Sequence, residues 1–118
     1  MRRHKFKATR TVVDGMSFPS KLEASVYSLL KLREHAGEIG GLERPGGVDL
    51  VLSPLGPIRY KPDFVFSENG VVTYVEAKGA MTDRWRLIRK LWAAFGPGPL
   101  EVWKGTYLKP FIQEVIRP

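Results

Sequence analysis

Asp63, Glu76 and Lys78 are the residues whose types and spacing could do chemistry. Asp63 stands in Tyr60-Lys61-Pro62-Asp63-Phe64-Val65-Phe66, and the other two in Val71-Val72-Thr73-Tyr74-Val75-Glu76-Ala77-Lys78-Gly79. Two runs of β-branched and aromatic residues around Asn69-Gly70 read as a hairpin, because a two-residue type I′ turn needs positive φ at both central positions. With that loop, Glu68 pairs with Val71, and counting back sets Asp63 across from Glu76. Lys78 projects from the face of Glu76, since strand side chains alternate. Two carboxylates facing each other at roughly 5 Å repel and destabilise a sheet. Placed there with a lysine beside them, they predict a bound cation and a metal-dependent site that cleaves phosphodiesters.

Hydrolysing a phosphodiester needs an activated water, neutralisation of transition-state charge and support for the leaving oxygen. Carboxylate-held Mg²⁺ can supply all three. It prefers octahedral oxygen coordination and commonly takes one or two protein carboxylates, with waters and substrate phosphate completing the shell. Asp63 and Glu76 meet that demand, and the backbone carbonyl of Ala77 is a further oxygen at the strand end. Mn²⁺ is expected to substitute. Lys78 would stabilise developing negative charge, or act as base if its pKa falls. Other chemistries fit worse. His4 and His35 are far apart in sequence, no P-loop pattern occurs, and Ser17, Ser20 and Ser25 have no histidine placed for a triad.

The elements that must position these groups belong to a chain of 118 residues, the size of one domain. No cysteine is present, which excludes disulfides, a thiol nucleophile and a Cys-ligated zinc, and is compatible with a reducing cytoplasm. No apolar run approaches the ~20 residues of a membrane span, and no apolar stretch follows the basic start, so neither a membrane partner nor a signal peptide is indicated. A net charge of +7 points to a polyanion, nucleic acid first.

In chain order, residues 1–16 are a basic arm with Arg2, Arg3, Lys5, Lys7 and Arg10, read either as phosphate contacts or as a solvated start, with a short strand at Thr11 to Met16. Ser20-Lys21-Leu22-Glu23 fits a capping box and opens a helix over about 20–36, with Leu22, Val26, Leu29 and Leu30 as its core stripe. Glu23 is thus either a capping residue or a group that reaches the sheet. Residues 38–57 are Gly- and Pro-rich loop with a short strand at 48–52. In the hairpin, Tyr60, Pro62, Phe64 and Phe66 should join the core with Val71, Thr73, Val75 and Ala77, while the opposite face carries the charges; Pro62 warns of an edge or a bulge. Thr82-Asp83 starts a second helix, with Trp85, Ile88, Leu91, Trp92 and Phe95 as the apolar stripe and Gly96-Pro97 as the stop. The Trp residues read as core rather than base-stacking platforms. Arg84, Arg86, Arg89 and Lys90 are candidates for phosphate contact, with Lys61 beside the site, though a run of this kind is also the ordinary solvated helix face. A strand at 100–103 follows by a parallel crossover, and a short helix at 111–116 closes the chain. The sum is a mixed α/β sheet with helices on its faces.

Pro62-Asp63 followed by Glu76-Ala77-Lys78 resembles the PD-(D/E)XK motif of restriction-endonuclease-like nucleases. The helix with Glu23 resembles the acidic helix preceding that motif in many members. In its S-x-x-E, Y-x-P-D-F and E-x-K-G order the chain is most similar to small phage-encoded endonucleases of the Holliday junction resolvase type, over roughly residues 17 to 95. The resemblance implies a nuclease domain over 17–118, with Asp63 and Glu76 as metal ligands, Lys78 as the catalytic lysine and Glu23 at a second metal. It also implies a homodimer, since symmetric cuts need two active sites, although the Gly/Pro-rich segment offers no clear equivalent of the relatives' intersubunit elements. The leading expectation is a Mg²⁺-dependent endodeoxyribonuclease, phage-encoded and acting in the host cytoplasm on branched DNA. A less selective nickase, a silent DNA-binding module of the same fold and a basic RNA-associated protein are the alternatives.

Overall fold

The computed structural model describes residues 10–51 and 53–118. Arg2, Arg3, Lys5 and Lys7 of the expected arm, and Leu52, lie outside the described residues. The first elements are β1 (Thr11–Val13), β2 (Met16–Phe18), α1 (Lys21–His35), β3 (Gly40–Glu43), β4 (Val48–Val51) and β5 (Ile58–Tyr60). They are followed by β6 (Phe64–Glu68), β7 (Val71–Ala77), α2 (Asp83–Phe95), β8 (Leu100–Thr106) and β9 (Lys109–Ile116).

The Asn69-Gly70 turn forms as the sequence requires, with φ of 51° and 80°. It sets Glu68 against Val71 and Phe64 against Val75 with no slip between. This hairpin is the middle of a five-stranded sheet in the order β3-β6-β7-β8-β9. The β7–β8 pair is parallel and its crossover is α2, as expected; β6, β8 and their outer partners pair antiparallel. β1–β2 and β4–β5 are separate two-stranded ribbons. The fold is therefore α/β, a mixed sheet flanked by helices.

Both helices begin where their caps dictate. Ser20 Oγ accepts from Glu23 N at 3.1 Å, and Thr82 Oγ1 accepts from Trp85 N at 3.1 Å, each satisfying one orphan amide. α1 covers one face of the sheet through Ala24, Val26, Tyr27 and Leu30, against Phe18, Phe64, Phe66 and Val75. Leu29 turns outward at 36% exposure, because it lies about 100° from Leu30 around the helix. α2 and the β4–β5 ribbon cover the other face, packing Trp85, Ile88 and Trp92 with Leu50, Tyr60, Leu100 and Val102. Both tryptophans of this helix are core, as expected, whereas Phe95 is exposed.

Several expectations need correction. The face of Tyr74 and Glu76 is not a solvated charged face, since α2 and β4–β5 bury it, and Val71 of the other face is exposed at the turn. Residues 60–66 are not one strand. β5 ends at Tyr60 and β6 begins at Phe64, because Pro62 has no N–H for a ladder and Lys61–Asp63 crosses between two sheets. Residues 40–43, read as loop, form edge strand β3, since pairing with β6 outweighs two glycines. The expected closing helix at 111–116 is β9, paired with β8 from Thr106↔Lys109 to Leu100↔Ile116. The segment's β-branched content and its neighbour decide this over the helix-starting position of Pro110.

Candidate metal and phosphate site

The break in the chain at Pro62 creates the site. Freed from the ladder, Asp63 sits one residue beyond the last paired position, with its N–H donated to Val75 O at 2.9 Å. Its Oδ2 accepts from Ala77 N at 2.8 Å, so the carboxylate caps the end of β7 beside Glu76. Glu76 is 8% exposed and faces α2 and β5. The hydroxyl of Tyr60 donates to Glu76 Oε1, while Oε2 lies 4.0 Å from Lys78 Nζ. Lys78 also stands 5.2 Å over the ring of Trp85, a cation–π contact that fixes its aliphatic stem. The register count thus brings Asp63, Glu76 and Lys78 together, with the acid at the mouth of the ladder rather than inside it.

Glu23 joins from α1. Its N–H donates to the Ser20 cap, and it lines a cavity of about 240 Å³ with Asp63, Arg10, Ser17, Arg44 and Lys61. Ser20 is the cap, and no bond returns from the Glu23 carboxyl to the Ser20 amide among the described residues, so the half of the capping box expected of Glu23 is absent and its carboxyl faces the sheet side instead. Burial, with the charge of Asp63 adding to it, raises the Glu23 carboxyl to about 7, against the opposing pull of Arg44 and Arg10. Burial also raises Asp63, opposed by the Ala77 N–H, Lys78 and Arg44. Glu76 is raised by burial and then by Asp63, while Tyr60 and Lys78 pull it down and Glu23 contributes the smallest push. Asp63 thus acts on both Glu23 and Glu76, while Glu23 acts on Glu76 only weakly.

That coupling bears on the donor set. Among the described residues no group of three or more His, Cys, Asp or Glu side chains converges to hold a metal ion. The Asp63–Glu76 pair can. Each carboxylate has one oxygen fixed by the protein, Asp63 Oδ2 by Ala77 N and Glu76 Oε1 by Tyr60, which leaves Oδ1 and Oε2 for monodentate ligation. Burial outweighs the pull of Lys78 and the hydrogen bonds on both carboxyls, so bringing a cation to them would release protons. Of Ala77, expected as a carbonyl ligand, the structure shows the N–H, which orients Asp63. Glu23 shares the cavity of Asp63, and Glu76 is not among the residues lining it.

The cations divide. Arg89 donates from Nε to Glu114 Oε1 at 2.6 Å and makes a second bond to Oε2, so β9 holds its charge. Arg86 pairs with Asp83 at 2.8 Å on an exposed turn, Arg84 reaches Arg59 O at 3.4 Å, and Lys90 is exposed. Lys61 lines the cavity, as expected of a group beside the site. Sequence reasoning missed Tyr60 as a polar partner, taking it only for core, and missed Arg44 altogether; Arg10 was read only as one cation of the basic arm. The Tyr in Tyr60-Lys61-Pro62-Asp63 was a usable signal; Arg44, inside a Gly/Pro-rich stretch, gave none.

A family model described as "Protein of unknown function (DUF1064)" matches residues 3–95. No curated protein and no solved structure matches the chain.

Proposed function

The chain belongs to the DUF1064 family, and from the pocket at the Pro62 break we propose that it is a metal-dependent endodeoxyribonuclease of the PD-(D/E)XK kind. The observation that carries this reading is the Asp63–Glu76 pair, a half-buried and a buried carboxyl at the end of one ladder, each with one oxygen fixed and one left over, beside Lys78. A structural role does not account for it, since placing two carboxyls together where burial raises both costs stability despite Lys78 beside them. A bound Mg²⁺ would act as Lewis acid on the phosphate and lower the pKa of its water.

The chain's own residues do the rest. Asp63 and Glu76 would hold the ion, each with one oxygen bonded to the protein, by Ala77 N–H and the Tyr60 hydroxyl, which orients the carboxyl groups. Lys78, steered by Glu76 and Trp85, places an ammonium where negative charge develops on the phosphate oxygens. Glu23, with proton affinity near neutrality, can hold or release a proton at the cavity side of Asp63. The net charge of +7 favours DNA as the polyanion. Among the described residues no helix is long and apolar enough to cross a membrane. The reading extends to cytoplasmic action in a bacterial host, with branched DNA as the preferred substrate and a homodimer as the cutting unit.

Supercoiled plasmid and a synthetic four-way junction, each incubated with Mg²⁺ and with EDTA, test it. Cutting is expected with Mg²⁺ alone, and Lys78→Ala should slow it about 10²–10⁴-fold while DNA binding persists. DNA binding without cutting under any divalent ion would favour the silent module.

A further inference from the structure

Arg10 and Arg44 come from segments far apart in the chain, one ahead of β1 and one after β3, yet both are fixed by the same residue. Arg10 Nε donates to Ser17 Oγ at 2.7 Å and Arg44 Nη2 donates to Ser17 O at 2.8 Å. The Arg44 guanidinium also stacks on Phe18, 4.2 Å from the ring centroid. These partners are neutral oxygens and a ring, so they orient the guanidinium groups without cancelling their charge. Among the described residues neither arginine, nor Lys61, forms an ion pair with a carboxylate. All three line the cavity that Glu23 and Asp63 share. Arginine forks held rigid around a concave polar space match the geometry of a phosphate group.

We infer that Arg10, Arg44 and Lys61 form a phosphate-binding subsite for the DNA strand, seating a backbone phosphate next to the one positioned for cleavage. The inference rests on the nuclease reading for the identity of the strand. The cavity of about 240 Å³ has room for a phosphate and its sugar but not for a base pair, so the contact is to backbone and carries no base readout. Arg44 is the anchor, because stacking and the bond to Ser17 O fix its plane, while Lys61 supplies a mobile charge at the rim. The acids on the same wall repel phosphate, so the three cations set which part of the wall a strand can approach.

The test measures binding, not cutting, so it stands apart from the activity of the site. Fluorescence anisotropy of a labelled DNA duplex in EDTA, across a salt titration, is compared for the full chain, Arg44→Gln, the double variant Arg10→Gln/Arg44→Gln and Lys31→Gln. Lys31 lies two turns along α1 from Glu23 and pairs with Glu34. The double variant is expected to lose about tenfold or more in affinity and about two from the magnitude of the log–log salt slope, whereas Lys31→Gln stays at the parent slope. Arg44→Lys, which keeps the charge without the fork, should restore the slope and only part of the affinity, separating the subsite from misfolding. A duplex with one neutral methylphosphonate at successive positions should bind the parent more weakly at one position, with that loss absent in Arg44→Gln. No binding in EDTA, or equal affinity and slope for parent and double variant, overturns the subsite even if the protein cuts DNA. The subsite survives if the binding results hold and no divalent ion supports cutting, in which case the nuclease reading alone fails.

Discussion

Two regions of this molecule bring charged side chains together in opposite senses. Where α2 meets β9, Arg89 and Glu114 make a bidentate pair of opposite sign, which holds the Glu114 carboxyl below its ordinary value. At the Pro62 break, Glu23, Asp63 and Glu76 are like charges in a partly dry pocket, all pushed above the carboxylate range by burial. The nearby arginines face neutral oxygens instead of closing ion pairs with them. One arrangement serves the fold. The other opposes it, and is sustained by the core that Phe64, Val75 and Trp85 provide on either side. The difference separates charge that is structural from charge available for a ligand, which counting Lys and Arg along the chain does not do.

The comparison can be sharpened first at Tyr60. Its hydroxyl fixes Glu76 from the buried side, so Tyr60→Phe should keep the aromatic packing against Trp85 and Trp92 yet lower cutting about 10–100-fold. Unchanged cutting at saturating Mg²⁺ would make that bond incidental.

The two regions should also answer to pH with opposite signs. For the raised carboxyls, folded and unfolded chains are both protonated well below 4.5, and no penalty exists there. As pH rises past that ordinary value the unfolded chain ionises while the pocket keeps its protons, so stability falls, and the Glu23 share of the penalty is complete above about 7. Glu114, whose value is lowered, contributes stability above the ordinary range that is lost as pH falls through its lower folded value. Thermal melting in EDTA should therefore show a decline from pH 5 to pH 8, reduced in Glu76→Gln. A flat profile over that window would mean that the pocket imposes no electrostatic cost.

A smaller effect comes from removing each charge near pH 8 in EDTA. Glu76→Gln is expected to raise the melting temperature, since it relieves repulsion and its amide oxygen still accepts from Tyr60. Arg89→Ala is expected to lower stability by about 1 kcal/mol, the upper end for a half-exposed pair, with little change in the DNA salt slope. The same sign of change in both variants would erase the distinction.

How much of this could be read in advance follows from how local each determinant is. The Asn69-Gly70 turn and the Ser20 and Thr82 caps act within four residues, and they carry the hairpin register and the start of each helix. The acidic pair and Lys78 were legible because a tight turn converts sequence distance into spatial distance. β9 was not, because Phe111 to Ile116 gains its strand geometry from β8, a partner that local pattern cannot weigh. Nor was the split at Lys61–Asp63, where a proline that could have marked a bulge ends one sheet and begins another. Arg10 stood out as part of a basic arm, but its meeting with Arg44 depends on the β1–β2 hairpin and the segment after β3 converging on Ser17, a tertiary event that local pattern does not show.

The central claim is that Asp63 and Glu76 together hold one divalent ion, and calorimetric titration of Mn²⁺ at pH 8 tests it most directly. The parent chain should bind about one equivalent, and Asp63→Asn and Glu76→Gln should each lose most of that heat while remaining folded. Equal binding in the parent and both variants would contradict it.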